Sequence, residues 1–205
     1  MDAPYRRICE PCGEISFGHG GAPVFEANEP LAIRQTGLMG VTLRPVEESD
    51  LAVFQRLFMD PTAAGDFEWF GYRAERFREL ERRWREDGLM GEETLLTVAL
   101  ADSTCIGLVS WRSGRFGSFE IGIALLPDHR GNGHGTDAQC QLVDYLFANF
   151  PVHRIEAATE SDNIAERRAL ERVGFVHEGI RRSGRFRSGQ WRDGVLYGLL
   201  REDPR

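Results

Sequence analysis

A glycine-rich run past the middle of the chain places the strongest constraint on what this sequence can fold into. Residues 127–136 follow the apolar stretch 121–126 and precede residues 138–150, which have the pattern of an amphipathic helix. Glycine lets the backbone approach a ligand without a Cβ in the way, and the first turn of a helix carries unpaired N–H groups that attract an anion. The run therefore predicts a strand, a loop and a helix that together bind a phosphate or pyrophosphate.

Known glycine-rich phosphate sites differ in spacing. A P-loop needs a lysine followed by serine or threonine after its glycines, and this run has neither pair. A dinucleotide fingerprint needs G-x-G-x-x-G in an early βαβ unit, whereas this spacing is G-x-G-x-G. The pattern that matches is R-x-x-G-x-G, from Arg130 through Gly133 to Gly135. On spacing alone, a surface turn without a ligand stays open as the alternative.

Composition excludes several classes of protein. The net charge of −7 over 205 residues argues against binding to nucleic acid, which needs a basic surface. No apolar run approaches the roughly 20 residues that span a bilayer, and the first residues lack the apolar core of a secretory signal. We therefore expect a cytoplasmic protein that binds neither nucleic acid nor a membrane.

The chain divides into two regions of different character. Residues 1–40 are rich in glycine, proline and glutamate without periodicity, which predicts an irregular arm. Cys9 and Cys12 in this arm form a lone C-x-x-C, interpreted as two reduced thiols because no second pair has metal-binding spacing. Residues 41–205 are predicted to form the folded domain, with no metal site.

Periodicity within residues 41–205 predicts the order strand, two helices, three strands, helix, strand, helix and two strands. We expect Ser49 or Asp50 to cap the first helix and Gly174 to end the last one. The final two strands are predicted at residues 175–182 and 190–200. This order indicates an α/β (α+β) fold, with a mixed, mostly antiparallel sheet of about seven strands flanked by helices on both faces.

This order, together with R-x-x-G-x-G, resembles the GNAT superfamily of N-acetyltransferases. Within it, the chain is similar to the RimJ/RimL-like branch, which acetylates the N-termini of ribosomal proteins. The resemblance covers residues 41–200. The matching segments are Leu43-Arg44-Pro45, Phe119-Glu120-Ile121-Gly122-Ile123, Asn163-Ile164-Ala165, Gly174-Phe175 and Gly189-Gln190-Trp191-Arg192-Asp193.

The resemblance implies that acetyl-CoA donates its acetyl group directly to an amine, without a covalent enzyme intermediate. Main-chain N–H groups of the glycine run would bind the pyrophosphate, and the Arg130 side chain would add charge-assisted hydrogen bonds. Arg168, or another arginine of its helix, would meet the 3′-phosphate, with a solvated helix face as the alternative. The main chain before the run would pair with the pantetheine arm like an added strand. The cofactor-binding residues predicted in this way are Ile123, Ala124, Leu125, Arg130, Gly131, Asn132, Gly133, His134, Gly135, Thr136, Asn163 and Arg168.

For the chemistry, Glu120 is the candidate general base. It lies on the strand where the family often places its base, on the same face as Gly122 and Ala124. Partial desolvation there would raise its pKa, although a carboxylate that binds the acceptor amine or a nearby arginine is the alternative. A main-chain N–H near Ala124 or Leu125 would stabilise the oxyanion. Asn163 would contact the cofactor arm and orient the site.

Two departures from the family leave the proton donor for the thiolate open. Three positions after Asn163 this branch usually has a serine, whereas this chain has Glu166. Other branches place a tyrosine nearby on this helix as the general acid, and none is present here. Tyr197, Ser161 and water all stay open as donors.

The acceptor site is predicted between the early helices and the last hairpin, where a loop concentrates aromatic side chains around one carboxylate. Its candidate substrate-binding residues are Glu68, Trp69, Phe70 and Tyr72, with packing in the core as the alternative for the aromatic ones. We expect an acetyl-CoA-dependent N-acetyltransferase that acts on a small-molecule amine or a protein N-terminus, and a homodimer is compatible with it. A catalytically impaired acyl-CoA-binding module and a nucleotide-binding protein are the alternatives.

Overall fold

The computed structural model describes residues 40–69, 71, 74–91 and 93–204, without the side chains of residues 74–77. Nearly all of the arm expected at residues 1–40 therefore lies outside the described residues. The strands are β1 (Val41–Arg44), β2 (Glu93–Leu100), β3 (Cys105–Ser113), β4 (Phe119–Leu125), β5 (Arg154–Glu160), β6 (Val176–Arg187) and β7 (Gln190–Leu200). The α-helices are α1 (Leu51–Met59), α2 (Pro61–Ala64), α3 (Ala74–Asp87), α4 (His134–Asn149) and α5 (Ile164–Val173).

The strands form one seven-stranded sheet in the order β1-β2-β3-β4-β5-β7-β6. Every neighbouring pair is antiparallel except β4 and β5, which are parallel and joined through α4. A parallel connection needs a crossover element, and α4 supplies it. The predicted mixed, mostly antiparallel sheet is confirmed.

Both faces of the sheet are covered by helices, because its inner strands carry apolar residues on both sides. On one face, Leu96 and Val109 pack in a core that includes Leu142 of α4 and Leu170 of α5. On the other face, the sheet packs in a second core with α1 and α3, whose members are Leu95, Leu108, Phe54, Leu57 and Leu80. Helices on both faces were expected from the sequence, and this too is confirmed.

The first helix is tied to the sheet by a buried carboxylate. Asp50 accepts hydrogen bonds from the Arg44 guanidinium at 2.7 and 2.9 Å and from the Thr97 hydroxyl at 2.8 Å. It also accepts the Glu47 N–H at 2.9 Å, in the short 3₁₀ turn Glu48–Asp50 that precedes α1. Burial opposes ionisation of this group, but the hydrogen bonds outweigh it and hold the pKa of Asp50 below its usual value.

The structure differs from the prediction in one element, and in two boundaries by four residues or more. It has three α-helices rather than two before β2, because Pro61 starts the short helix α2, which Asp60 caps. Helix α4 begins at His134 rather than at residue 138, because Gly133 takes a left-handed conformation (φ 84°) and starts the helix inside the glycine run. Strand β6 continues to Arg187 rather than ending at residue 182. A shift of register between Arg181 and Arg185 absorbs the residues that were predicted to form a loop.

One structural finding bears on membranes. Within the described residues, none of the helices combines the length and the apolar character that crossing a bilayer requires.

Candidate active site

The parallel strands β4 and β5 separate soon after they meet. They pair at Phe119 with Ile155 and at Glu120 with Glu156. Residues 121–125 of β4 pair with β3 on one side, and the described part of the chain provides no strand on the other. The gap between β4 and β5 belongs to a cleft of about 1030 Å³. Its open strand edge offers main-chain groups to an extended ligand.

The N-terminus of α4 opens into this cleft. Gly131 (φ 78°) and Gly133 (φ 84°) adopt left-handed conformations that are unfavourable for residues with a Cβ, and no side chain caps the helix. Gly135, in the first turn, is different because a Cβ there would meet Ile123 and Leu125 only at ordinary contact distances of 3.6 to 3.7 Å. Packing therefore does not require glycine at position 135, and its bare backbone instead leaves room for a ligand.

The structure brings most of the predicted cofactor residues together. The cleft is lined by Ile123, Ala124, Leu125, Arg130, Gly131, Gly133, Gly135, Thr136, Asn163 and Arg168. Asn132 and His134 lie outside the set of lining residues, so any role for them depends on their main-chain groups.

Arg130 lines the cleft, but its guanidinium is engaged by the protein itself. Its Nε donates to the Leu125 carbonyl at 2.9 Å, and its Nη2 donates to the carbonyls of Ala63 and Ala64, the latter at 3.1 Å. A Cβ at Gly65 would lie 2.6 Å from Nη1, so glycine there makes room for the arginine. Arg130 thus joins the end of β4 to α2, and its expected contact with the pyrophosphate stays a prediction.

Glu120 lies at the far end of the cleft in an ion pair. The register places Arg112 of β3 directly opposite it, and Arg112 donates to Oε2 at 2.7 and 3.2 Å. The Glu120 side chain is 36% exposed. The expected desolvated carboxylate is therefore not what the structure describes, and the alternative of a carboxylate bound to a nearby arginine fits better. The role of Glu120 as base stays a prediction, and it would require Arg112 to give up part of this contact.

Asn163 caps the N-terminus of α5 and connects it to the C-terminal end of β5. Its Oδ1 accepts the Glu166 N–H at 3.3 Å, and its Nδ2 donates to the Thr159 hydroxyl at 3.0 Å. The sequence assigns Asn163 to the cofactor arm, and its place on the cleft wall is compatible with that assignment.

Sequence reasoning treated Glu166 only as a departure from the family, yet its carboxyl lines the cleft. Burial raises the pKa of Glu166 to about 7; a hydrogen bond from Gln139 at 2.9 Å opposes the shift, and the charge of Glu68 adds to it. No signal in the local sequence indicates this environment, because Gln139 lies on another helix, 27 positions away in the chain.

The arginines of α5 separate into two groups. Arg168 and Arg172 are exposed and line the cleft, one turn apart. Arg167 instead donates to the Ser161 carbonyl at 3.0 Å and to the Tyr197 hydroxyl at 3.4 Å. The Tyr197 side chain is buried outside the cleft, and its hydroxyl donates to Glu171 at 2.9 Å, which argues against Tyr197 as the proton donor.

The acceptor loop is only partly described. Glu68 lines the cleft, Trp69 lies outside the lining set, and Phe70 and Tyr72 fall outside the described residues. Sequence reasoning missed what anchors this loop, because the anchor lies far away in the chain. The guanidinium of Arg187 stacks 5.1 Å from the centre of the Phe67 ring and binds the buried carboxylate of Glu160 at 2.6 to 3.1 Å.

Residues 41–176, which include β4 and the start of α4, match the acetyltransferase (GNAT) domain family. The chain belongs to the GNAT family of acetyltransferases. It is accordingly an acyltransferase that uses acetyl-CoA, as the resemblance implied.

Relatives and solved structures agree with this assignment. A probable N-acetyltransferase of Bacillus subtilis (strain 168), YjcK, is 33% identical over 68% of this chain and 77% of its own length. The spermidine N-acetyltransferase of Vibrio cholerae, solved with CoA and spermine, is 26% identical with a TM-score of 0.69 over 80% of this chain and 97% of that one. RimJ of Mycobacterium smegmatis, solved with CoA-disulfide, is 25% identical with a TM-score of 0.67 over 79% and 82%. The similarity to RimJ supports the assignment of this chain to the RimJ/RimL-like branch.

Proposed function

We propose that this enzyme transfers the acetyl group of acetyl-CoA directly to the primary amine of a small molecule. The observation that carries the proposal is the alignment of two open main-chain surfaces in one cleft, namely the edge of β4 and the first turn of α4. The first turn would bind the pyrophosphate and the strand edge would pair with the pantetheine arm. Arg168 and Arg172 on the same wall are the candidate partners of the 3′-phosphate.

The end of the cleft near the acceptor loop supports a cationic acceptor. Asp66 and Glu68 of that loop are exposed and line the cleft. One of the arginines that line the cleft, Arg112 of β3, is paired with Glu120. Carboxylates of this kind favour an ammonium group over an anion. Since the Vibrio cholerae relative is a spermidine N-acetyltransferase, a polyamine is one acceptor to test, and a protein N-terminus is the other class.

Different groups of the cleft would carry out the successive steps of the reaction. Glu120, directly or through a water molecule, would take a proton from the amine so that its lone pair can attack the thioester carbonyl. A main-chain N–H near Ala124 or Leu125 would stabilise the oxyanion, a contribution of about 3 kcal/mol to the barrier. Neither step requires a covalent bond to the protein.

A panel of amines incubated with acetyl-CoA tests the proposal, with thiol release and the mass of each amine as readouts. The panel contains polyamines, amino sugars, amino acids and short peptides with free N-termini. Because the sequence contains no lysine, acetylation of side-chain amines within the enzyme does not complicate the mass analysis. Acetylation of a small amine, faster than that of any peptide, is the expected result. Thiol release with peptides alone would move the acceptor to protein N-termini, and none with any amine would contradict the proposed function.

A further inference from the structure

Glu166 occupies the point where three elements meet inside the cleft. It lies in the first turn of α5, and its Oε1 accepts a hydrogen bond from Gln139 of α4. Glu68 of the acceptor loop is close enough for its charge to act on the Glu166 carboxyl. The carboxyl therefore faces the space between the cofactor wall and the acceptor loop.

Apart from the hydrogen bond from Gln139, which joins α4 and α5, the Glu166 side chain has no hydrogen bond or ion pair among the described residues. Its carboxylate does not accept the Asn163 N–H to complete a capping box, because that N–H donates to the Glu160 carbonyl instead. Its Oε2 has no hydrogen-bond partner among the described residues, and Gln139 keeps a buried Oε1 without a partner. A partly buried carboxyl without a cation costs stability, and groups retained at such a cost are typical of functional sites.

No cation is paired with Glu166 in the described part of the chain. Gln139, which faces it from α4, is neutral, and Glu68, which faces it from the loop, is acidic. On its own helix, Arg167 is turned toward Ser161, and Arg168 is two positions away, a spacing that does not bring side chains together. These surroundings favour the protonated carboxyl, and only the protonated form can donate a proton.

We propose that Glu166 contacts the sulfur of the thioester and protonates the thiolate of coenzyme A as it leaves. The inference rests on the proposed function and assigns the one step for which sequence reasoning found no residue. Asn163 has no usable acidity, and neither Tyr197 nor Ser161 is among the residues that line the cleft. Glu166 is therefore the acidic side chain on this wall, and water is the other donor that was left open.

The step balances without any further reagent. When the tetrahedral intermediate collapses, the C–S bond breaks and its electron pair moves to sulfur. The Oε2–H of Glu166 gives its proton to that sulfur, which yields the free thiol of coenzyme A and a carboxylate. Solvent returns a proton to Glu166 after the thiol departs. The amine loses one proton to the base before it attacks and a second from its nitrogen as the amide forms, and both reach solvent through that base or a water molecule.

The acidity of Glu166 suits this task. A thiol ordinarily has a pKa of about 8.5, so a proton moves readily to the thiolate from a carboxyl with a lower pKa. With a pKa of about 7, Glu166 is protonated in a large fraction of the enzyme near neutral pH. Above that pH the free enzyme loses the acid form, so kcat/KM for acetyl-CoA should decline as the pH rises through this range.

The kinetic test compares Glu166→Gln with Glu171→Gln. Both changes remove a carboxylate from α5, but Glu171 contacts Tyr197 outside the cleft. With the best amine of the panel, Glu166→Gln should lower kcat about a hundredfold and leave the KM for acetyl-CoA nearly unchanged. It should also abolish the decline of kcat/KM above neutral pH, whereas Glu171→Gln keeps the native profile. An unchanged kcat, or a native pH profile, in Glu166→Gln would overturn the assignment.

A second measurement does not depend on turnover. Calorimetry of coenzyme A binding in two buffers of different ionisation enthalpy gives the number of protons taken up. Slightly above neutral pH, the native chain should take up a larger fraction of a proton than Glu166→Gln, because the bound cofactor desolvates Glu166 while any exchange by the 3′-phosphate is common to both. Equal uptake by both would show that the cofactor does not reach Glu166, which overturns this inference alone. No binding heat with the native chain would overturn the proposed function as well.

Discussion

Three glutamates in or near the cleft differ in the side chain that binds their carboxylate, and that difference gives them different roles. Glu120 is paired with Arg112 in a position partly open to solvent. Glu160 is fully buried and held by the Arg187 guanidinium. Glu166 is partly buried and has an amide instead of a cation. The same side chain is thus an ion-pair partner, an anchor and a proton-holding group, according to its neighbours.

At the residue scale, Glu166 predicts a dependence of stability on pH. Its pKa rises from 4.5 to about 7 on folding, so between these values the native chain holds a proton that the unfolded chain has released. The free energy of unfolding should therefore fall as the pH rises through this window, by on the order of 3 kcal/mol. Urea unfolding at pH 5 and pH 8 should show a smaller decline in Glu166→Gln than in the native chain. Identical declines would mean that Glu166 titrates normally.

A second prediction at this scale concerns Glu160. Glu160→Gln removes the nearest counter-charge of the buried Arg187 guanidinium and leaves only Asp162, at 4.0 Å, as an ion-pair partner among the described residues. Breaking a buried pair costs roughly 3–5 kcal/mol, so a loss toward the lower end of that range is expected. The control is Glu86→Gln, which removes one exposed carboxylate from Arg82 and should change stability little. Urea unfolding measures both variants. A loss in Glu160→Gln no larger than in the control would contradict the anchoring role.

At the scale of elements, the start of α4 shows how local sequence and ligand binding are combined. The glycine run supplies the two left-handed positions that the turn needs, at Gly131 and Gly133. The third glycine, Gly135, is already helical and sterically replaceable. A glycine in a first helical turn usually lowers stability, so its presence here is consistent with close approach of a ligand to the backbone.

This contrast gives a prediction with a matched control. Gly135→Ala should leave the free energy of unfolding unchanged or raise it slightly, because the added methyl meets only ordinary contacts. It should weaken coenzyme A binding at least tenfold, because the methyl lines the proposed pyrophosphate site. Gly179→Ala on β6, where a Cβ meets nothing within 4 Å, should likewise keep or slightly raise the free energy of unfolding but leave coenzyme A affinity unchanged. Native affinity in Gly135→Ala, measured by calorimetry, would place the pyrophosphate elsewhere.

Elements with strong local patterns could be predicted from the sequence, and features that need distant contacts could not. The seven strands and the Gly174 end of α5 follow from alternation and from one left-handed residue (φ 107°). The sequence predicted the start of α4 at a later residue than the structure shows, because glycine has a low helix propensity and a glycine-rich segment does not indicate a helix. Glu166 could not be assigned because its environment depends on Gln139, 27 positions earlier on another helix. Arg130 was assigned by its motif alone, whereas its carbonyl partners Ala63 and Ala64 lie on α2.

At the scale of the whole sheet, β4 and β5 form its weakest internal connection. Strands β1 to β4 pair along their lengths, as do β5 to β7, yet β4 and β5 share only the short register at Phe119 and Glu120. Helices α4 and α5 cross this region on one face and contribute to a common core. A ligand that pairs with the edge of β4 would therefore strengthen the sheet where it is least supported.

Hydrogen exchange with and without coenzyme A tests this consequence. Main-chain amides that exchange rapidly in the free protein should be concentrated at residues 121–125 and in the first turn of α4, because these groups have no partner across the cleft. Coenzyme A should slow exchange in both segments and leave the β6–β7 hairpin unchanged. At a concentration 100 times its Kd, it should also raise the free energy of unfolding by about 2.7 kcal/mol. Slower exchange in the first turn of α4 alone would mean that the pyrophosphate binds as proposed while the pantetheine arm does not pair with β4, since only pairing along the strand protects its amides.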